Sequence, residues 1–160
     1  MLAAIEAQIA HIDRELTKLA AAATPLGAQL RLVATIPGLG LTTAGVLLSL
    51  PLDRLETARQ VAAYVGLCPQ ERTSGSSIRG RGHSSPLGPA SLRKALYLPA
   101  SVAMRCNPAL RVFADRLRAR GKRPKIVITA VMRKLLLLAW TLLRTGQPFS
   151  ATHHVQLTGA

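Results

Sequence analysis

Aromatic side chains are scarce in this sequence. Phe, Trp and Tyr make up 3% of its 160 residues, so a core cannot be built from stacked rings and has to be aliphatic. Leu, Ala, Val and Ile supply that core within the 49% of apolar residues. Such a composition favours packed helices over a sheet, where β-branched and aromatic residues would be richer. Cysteine is also rare. Cys68 and Cys106 are too few and too isolated for a disulfide framework or a zinc site, and they fit small apolar residues in a reducing cytoplasm. Acids are the third shortage: there are seven, scattered along the chain, and no divalent-metal cluster can be assembled from Asp53, Glu56 and Glu71. No metal ligand is therefore assigned. A clean apolar run is missing too. The most apolar stretch, "IVITAVMRKLLLLAWTLL" at 126–143, is broken by Arg133 and Lys134, and it reads as a buried helix rather than a membrane span. Glu6, Asp13, Arg14 and Glu15 interrupt the N-terminal apolar pattern, which excludes a signal peptide.

Positive charge, by contrast, is abundant and unevenly placed. Residues 1–71 hold five Lys or Arg against six acids, whereas residues 72–160 hold sixteen against one, Asp115. A self-repelling half of this kind needs an anionic partner. Nucleic acid comes first, because clustered Lys and Arg release counterions from a phosphate backbone. An anionic membrane or an acidic protein would satisfy the charge less specifically. At 160 residues the chain suits one domain with a sizeable core.

Periodicity predicts an all-α protein. In residues 1–24, Leu2, Ile5, Ile9, Ile12, Leu16 and Leu19 follow each other at alternating steps of three and four, the pattern of a coiled-coil seam. Nearly three heptads are short for a free-standing coil. The seam therefore either pairs with other copies through residues 1–22 or folds back on its own domain as an amphipathic helix. A helical domain follows over 25–149. Within about 26–50, "IPGLG" separates two apolar helices, with Gly38 and Gly40 permitting a tight turn. This resembles a helix-hairpin-helix, whose second helix would offer backbone N–H groups to a DNA phosphate; a plain turn between two helices fits equally. "ARQVAAYVGL" is a short helix closed by Gly66. Helices resume at 90–106 with a kink expected at Pro99, then after the cap Asn107–Pro108, and again from Pro124 to a stop at Gly146. Residues 150–160 carry no pattern and are expected to be a disordered tail.

Between the helices lies one long basic loop, 68–89, containing "TSGSSIRGRG". Unpatterned loops of such length inside a domain tend to be functional or disordered, and a small hairpin around Gly75 or Gly80 is one way for it to fold. Serine is ordinary in turns. Beside Arg72, Arg79 and Arg81, however, a serine hydroxyl has cations within reach that could hold the charge of an attacked phosphate.

Taken in order, the coiled-coil helix, "IPGLGLTTAGVLLSL", "ARQVAAYVGLCP", "SGSSIRGRG", "LRKALYLPA" and "NPALRVFADRLRARGK" resemble the C-terminal half of the insertion-sequence transposases of the IS-one-ten type, relatives of the Piv DNA invertase. The resemblance covers residues 1 to about 149. It implies the DNA-binding part of a transposase or site-specific recombinase, acting in the bacterial cytoplasm at the nucleoid. It implies Ser74 as the nucleophile on a DNA phosphodiester, with Ser77 as the alternate, and nucleic-acid contacts from Arg72, Arg79, Arg81, Gly38, Gly40, Arg93 and Lys94. The family's acidic RuvC-like domain, which would bring Mg2+, has no counterpart here. No cofactor is therefore expected in this chain, nor activity from it in isolation. DNA, a structured guide RNA and further copies of the chain are the implied partners, and no membrane. One departure is "HSSPLGPAS", with Pro86 and Pro89 where the family has Lys and Asn. Against the recombinase stand two other readings: a helix-hairpin-helix module that grips DNA or RNA without chemistry, and a basic oligomerising RNA-binding protein.

Overall fold

The computed structural model describes residues 2–51, 54–74, 78–84 and 88–150, with 69–74 and 78–84 described through their backbone. The described residues form seven helices: α1 (Leu2–Ala21), α2 (Pro25–Ala34), α3 (Leu41–Leu48), α4 (Ala58–Val65), α5 (Ala90–Cys106), α6 (Pro108–Ala119) and α7 (Pro124–Thr145). The loop between α4 and α5 contains an antiparallel hairpin of β1 (Pro69–Ser74) and β2 (Ile78–Ser84), in register from Pro69 opposite Ser84 to Ser74 opposite Ile78. Gly80 thus lies inside β2, while Gly75 lies outside the described residues. The helical reading stands, and the long loop is partly a β-ribbon.

Short-range signals start and stop most of these helices. Thr24 caps α2 by accepting from the Gly27 N–H at 3.1 Å, with Pro25 in the first turn. Thr57 and Gln60 close a reciprocal capping box at α4, which ends on Gly66 at φ 75°. Asn107 is fully buried, and its Oδ1 accepts from the N–H groups of Ala109 and Leu110 at 3.1 and 3.3 Å. Pro124 opens α7 and Gly146 closes it at φ 66°. Pro99 sits inside α5 without ending it.

The core is aliphatic and centred on α7, which packs on α2, α4, α5 and α6. Val131, Leu135, Leu136, Ala139 and Leu142 are fully buried there, against Leu30, Val33, Leu96, Ala100 and Leu110. By length and composition α7 is the one helix among the described residues that could cross a membrane, and half of that stretch is buried inside the protein. Trp140 donates through Nε1 to the Leu55 carbonyl at 3.3 Å, and the Arg144 guanidinium stacks on its ring. These contacts tie the end of α7 to the segment before α4.

The turn between α2 and α3 is held tightly on α5. Gly38 has φ +100°, and a Cβ there would come within 2.7–2.8 Å of the Cβ, Cα and N of Ala103. Gly40 has open space around the same position. Gly38→Ala is therefore expected to lower unfolding stability by about 3 kcal/mol, through backbone strain and a clash with a helix backbone. Gly40→Ala should cost no more than about 1 kcal/mol, the usual loss at a helix N-cap. Urea unfolding of the two variants side by side measures the difference.

α1 is divided between two environments. Its C-terminal end packs on α2 and α3: Ala20 is buried, Leu16 lies against Gly45, and Arg31 Nη1 donates to the Ala20 and Ala22 carbonyls, satisfying groups a helix end leaves open. The rest projects. Leu2, Ile5, Ile9 and Ile12 are 75%, 51%, 54% and 55% exposed.

Candidate nucleic-acid interface

The hairpin is a long excursion pinched at its base. Chain leaves the core at Gly66–Leu67 and returns at Gly88. Gly88 adopts φ +112° and lies so close to the end of α4 that a Cβ would come within 2.5 Å of the Tyr64 carbonyl oxygen. Arg93, from the first turn of α5, joins the two ends: its Nη1 donates to the Val65 carbonyl at 3.2 Å and to the Gly88 carbonyl at 2.9 Å. Arg93 was singled out in the sequence as a nucleic-acid contact, and the structure gives this nitrogen a fastening role. Cys68, half-buried at the start of the excursion, lies 3.9 Å from Arg133 Nη1 on α7.

Along the ribbon, Arg72 is paired with Gly80, Thr73 with Arg79 and Ser74 with Ile78, and an irregularity falls between Gln70 and Arg72. Ser74 and Arg79 therefore occupy adjacent rungs, about 3.3 Å apart along the strand. The side chains of Arg72, Ser74, Arg79 and Arg81, the alternate nucleophile Ser77, and the tail from 151 onward lie outside the described residues. Lys94 is exposed and borders two clefts, one between α3 and α5 and one between α5 and α7.

At the α2–α3 turn, Gly40 is the N-cap of α3, without a side-chain cap. Thr42, in the first turn of α3, donates to the carboxylate of Asp13 from α1 at 3.3 Å. A negative group thus already stands beside the positive end of α3, where it is favoured by the helix dipole. Gly38 is occupied in packing on Ala103.

A second basic region was legible in the sequence but was read as helix punctuation. "RLRARGKRPK" at 116–125 brings Arg116, Arg118, Arg120, Lys122, Arg123 and Lys125 to the exposed α6–α7 turn. Asp115, the sole acid of the C-terminal half, pairs with Arg118 at 2.7 Å. Lys134 lies over the Phe113 ring at 5.2 Å, and burial, then Arg133 and Arg116, hold it below the ordinary lysine pKa. This surface favours any arriving polyanion. Among the described residues no three His, Cys, Asp or Glu come together as metal ligands.

Residues 30–115 match the family model described as "Transposase IS116/IS110/IS902 family". The chain is 34% identical over 149 residues to the "Pilin gene-inverting protein" of Moraxella lacunata, covering 91% of this chain and 46% of that protein. The protein of the same name from Moraxella bovis matches at the same identity and coverage. The "Insertion element IS110 uncharacterized 43.6 kDa protein" of Streptomyces coelicolor is 37% identical over 114 residues, which are 70% of this chain and 28% of that protein. The chain thus spans about half, or less, of the curated relatives it matches.

Proposed function

Because the chain belongs to the IS116/IS110/IS902 transposase family, we propose that it is the DNA-handling helical part of a transposase or site-specific recombinase, with Ser74 as its nucleophile. The observation that carries this reading is the pinched hairpin. It ends β1 on Ser74, with Arg72 two residues earlier in the same strand, and its base is fastened by Arg93 and Gly88. In the reaction the Ser74 Oγ would bond to phosphorus as one phosphoester P–O bond breaks. The serine proton goes to a base, and the departing deoxyribose oxygen takes up a proton in turn. Arg79 and Arg81 would balance the charge on the non-bridging oxygens. Among the described residues no acids gather into a divalent-metal site. Mg2+ is therefore assigned to an acidic domain acting in trans, and no step of this chain runs through it. DNA places the protein's work in the bacterial cytoplasm, at the nucleoid. The α6–α7 turn offers a further face for a structured RNA. The exposed part of the α1 seam joins protomers.

The test is DNA binding against salt. Replacing Arg79 and Arg81 together should weaken binding and reduce the log–log salt slope by about 1.8, since each phosphate contact contributes roughly 0.9. An unchanged slope would remove the ribbon from the interface. A non-catalytic binding module is the competing reading, favoured by the absence of an acidic cluster among the described residues. It expects the same slope change and no chemistry.

A further inference from the structure

We propose that the cleft between α5 and the first turns of α7 seats one unpaired nucleobase of the bound strand. This rests on the nucleic-acid reading above and names the part of the strand that the region beside the ribbon takes. The cleft has a volume of about 360 Å³, within the range of small-molecule sites. Its floor is apolar, from Leu67 and Met132, which are 3% and 5% exposed. Tyr97 forms one wall and Thr129 another, and Arg93 and Lys94 stand at the rim.

Tyr97 is the telling residue. The chain has five aromatic residues, and a core so short of rings leaves this one 47% exposed beside an apolar floor. A flat apolar slot with an aromatic wall and cationic rim matches a base with its flanking phosphates. Lys125 lies one helical turn before Thr129 on α7, whose hydroxyl donates to the Lys125 carbonyl at 2.9 Å. Among the described residues no acid lines the cleft, which counts against a cationic or peptide-amine ligand. A paired base keeps its faces stacked in the duplex and cannot enter a concavity between two helices, so the occupant has to be splayed out of its stack. Leu67 and Cys68 lead directly from the cleft into β1, so a base held here would anchor the strand next to the ribbon. Every base has a π-face, and the site would accordingly be tolerant of sequence.

The experiment uses the 160-residue chain with three DNA probes: a duplex, the same duplex with a central unpaired bubble, and the bubble carrying 2-aminopurine. RNA duplex and RNA hairpin-loop probes form a parallel arm. The expected result is tighter binding of unpaired than paired probes, with the 2-aminopurine emission changing on binding. Tyr97→Ala should reduce that preference about tenfold while leaving duplex affinity and salt slope unchanged. Tyr97→Phe should keep the preference. Tyr64→Ala, which removes another exposed ring that is not part of the cleft, should also keep it. Preference in the DNA arm, the RNA arm or both supports the site and identifies the strand it takes. Duplex binding without any preference for unpaired probes, or a preference that survives Tyr97→Ala, overturns the cleft and leaves the DNA-handling reading intact. Failure to bind any probe overturns both.

Discussion

Ser74→Ala is expected to reduce strand exchange by roughly three orders of magnitude or more, the scale on which loss of a covalent nucleophile acts. The assay supplies an acidic metal-bearing domain in trans and reads recombinant product together with covalent protein–DNA adducts. Removing the hydroxyl leaves no atom at that position to form the phosphoester, so the adduct should vanish along with the product. DNA affinity should hold, because the ribbon is retained by backbone pairing from Pro69–Ser84 to Ser74–Ile78 and by the fastening at Val65 and Gly88. Binding and catalysis therefore separate in one variant. Full exchange by Ser74→Ala would dismiss this serine. Product lost together with DNA affinity would point to a structural role instead.

The second large effect concerns association. Substituting Ile5, Ile9 and Ile12 with Asn should convert an oligomer into a monomer with little change in thermal stability. The three isoleucines are more than half exposed in the single chain, so they contribute little to its own core. Burying the exposed half of each in a two-chain coil would contribute about 1 kcal/mol per residue, about 6 kcal/mol over both chains. Losing that weakens association by roughly four orders of magnitude at ~1.4 kcal/mol per decade. Sedimentation velocity over a range of concentrations measures the change, with calorimetry as the control for folding. A wild-type chain that stays monomeric at high concentration would refute the assignment, and so would a triple variant that still associates. The structure also changes what the seam means. Of the two alternatives open in the sequence, folding back describes the C-terminal part of α1, where Leu16 and Ala20 turn inward onto α2 and α3, while Leu2, Ile5, Ile9 and Ile12 are exposed.

Much of the fold was legible because its signals are short-range. Asn107 followed by Pro108 marks a helix start, since one side-chain oxygen reaches two N–H groups within three residues. Gly66 and Gly146 mark stops because a left-handed residue there closes the final turn. The aliphatic stripe of α7 announced a buried helix despite Arg133 and Lys134. The candidate site was less legible. Strand pairing in the loop carried little apolar alternation, so its register could not be read from "PQERTS" and "IRGRGHS". The contacts of Arg93 at Val65 and Gly88 could not be foreseen because they are set by folding, Val65 lying 28 residues away. Gly38 looked like part of a phosphate grip, while the close approach of Ala103 that requires it lies on a different helix. The basic stretch at 116–125 was in plain sight and was passed over because its glycine and proline served to end one helix and begin the next.

Composition and local pattern settled that this chain would be helical, aliphatic inside and positively charged over its C-terminal half, since those properties depend on side-chain type and on neighbours within a turn or two. Folding settled where the ribbon is fastened, which half of the α1 seam stays free, and which cations line a cleft beside a half-exposed tyrosine. Those outcomes depend on contacts between residues tens of positions apart, such as Trp140 with Leu55 and Arg144 with Glu56. No local pattern encodes such pairings, because they exist only once the helices have packed.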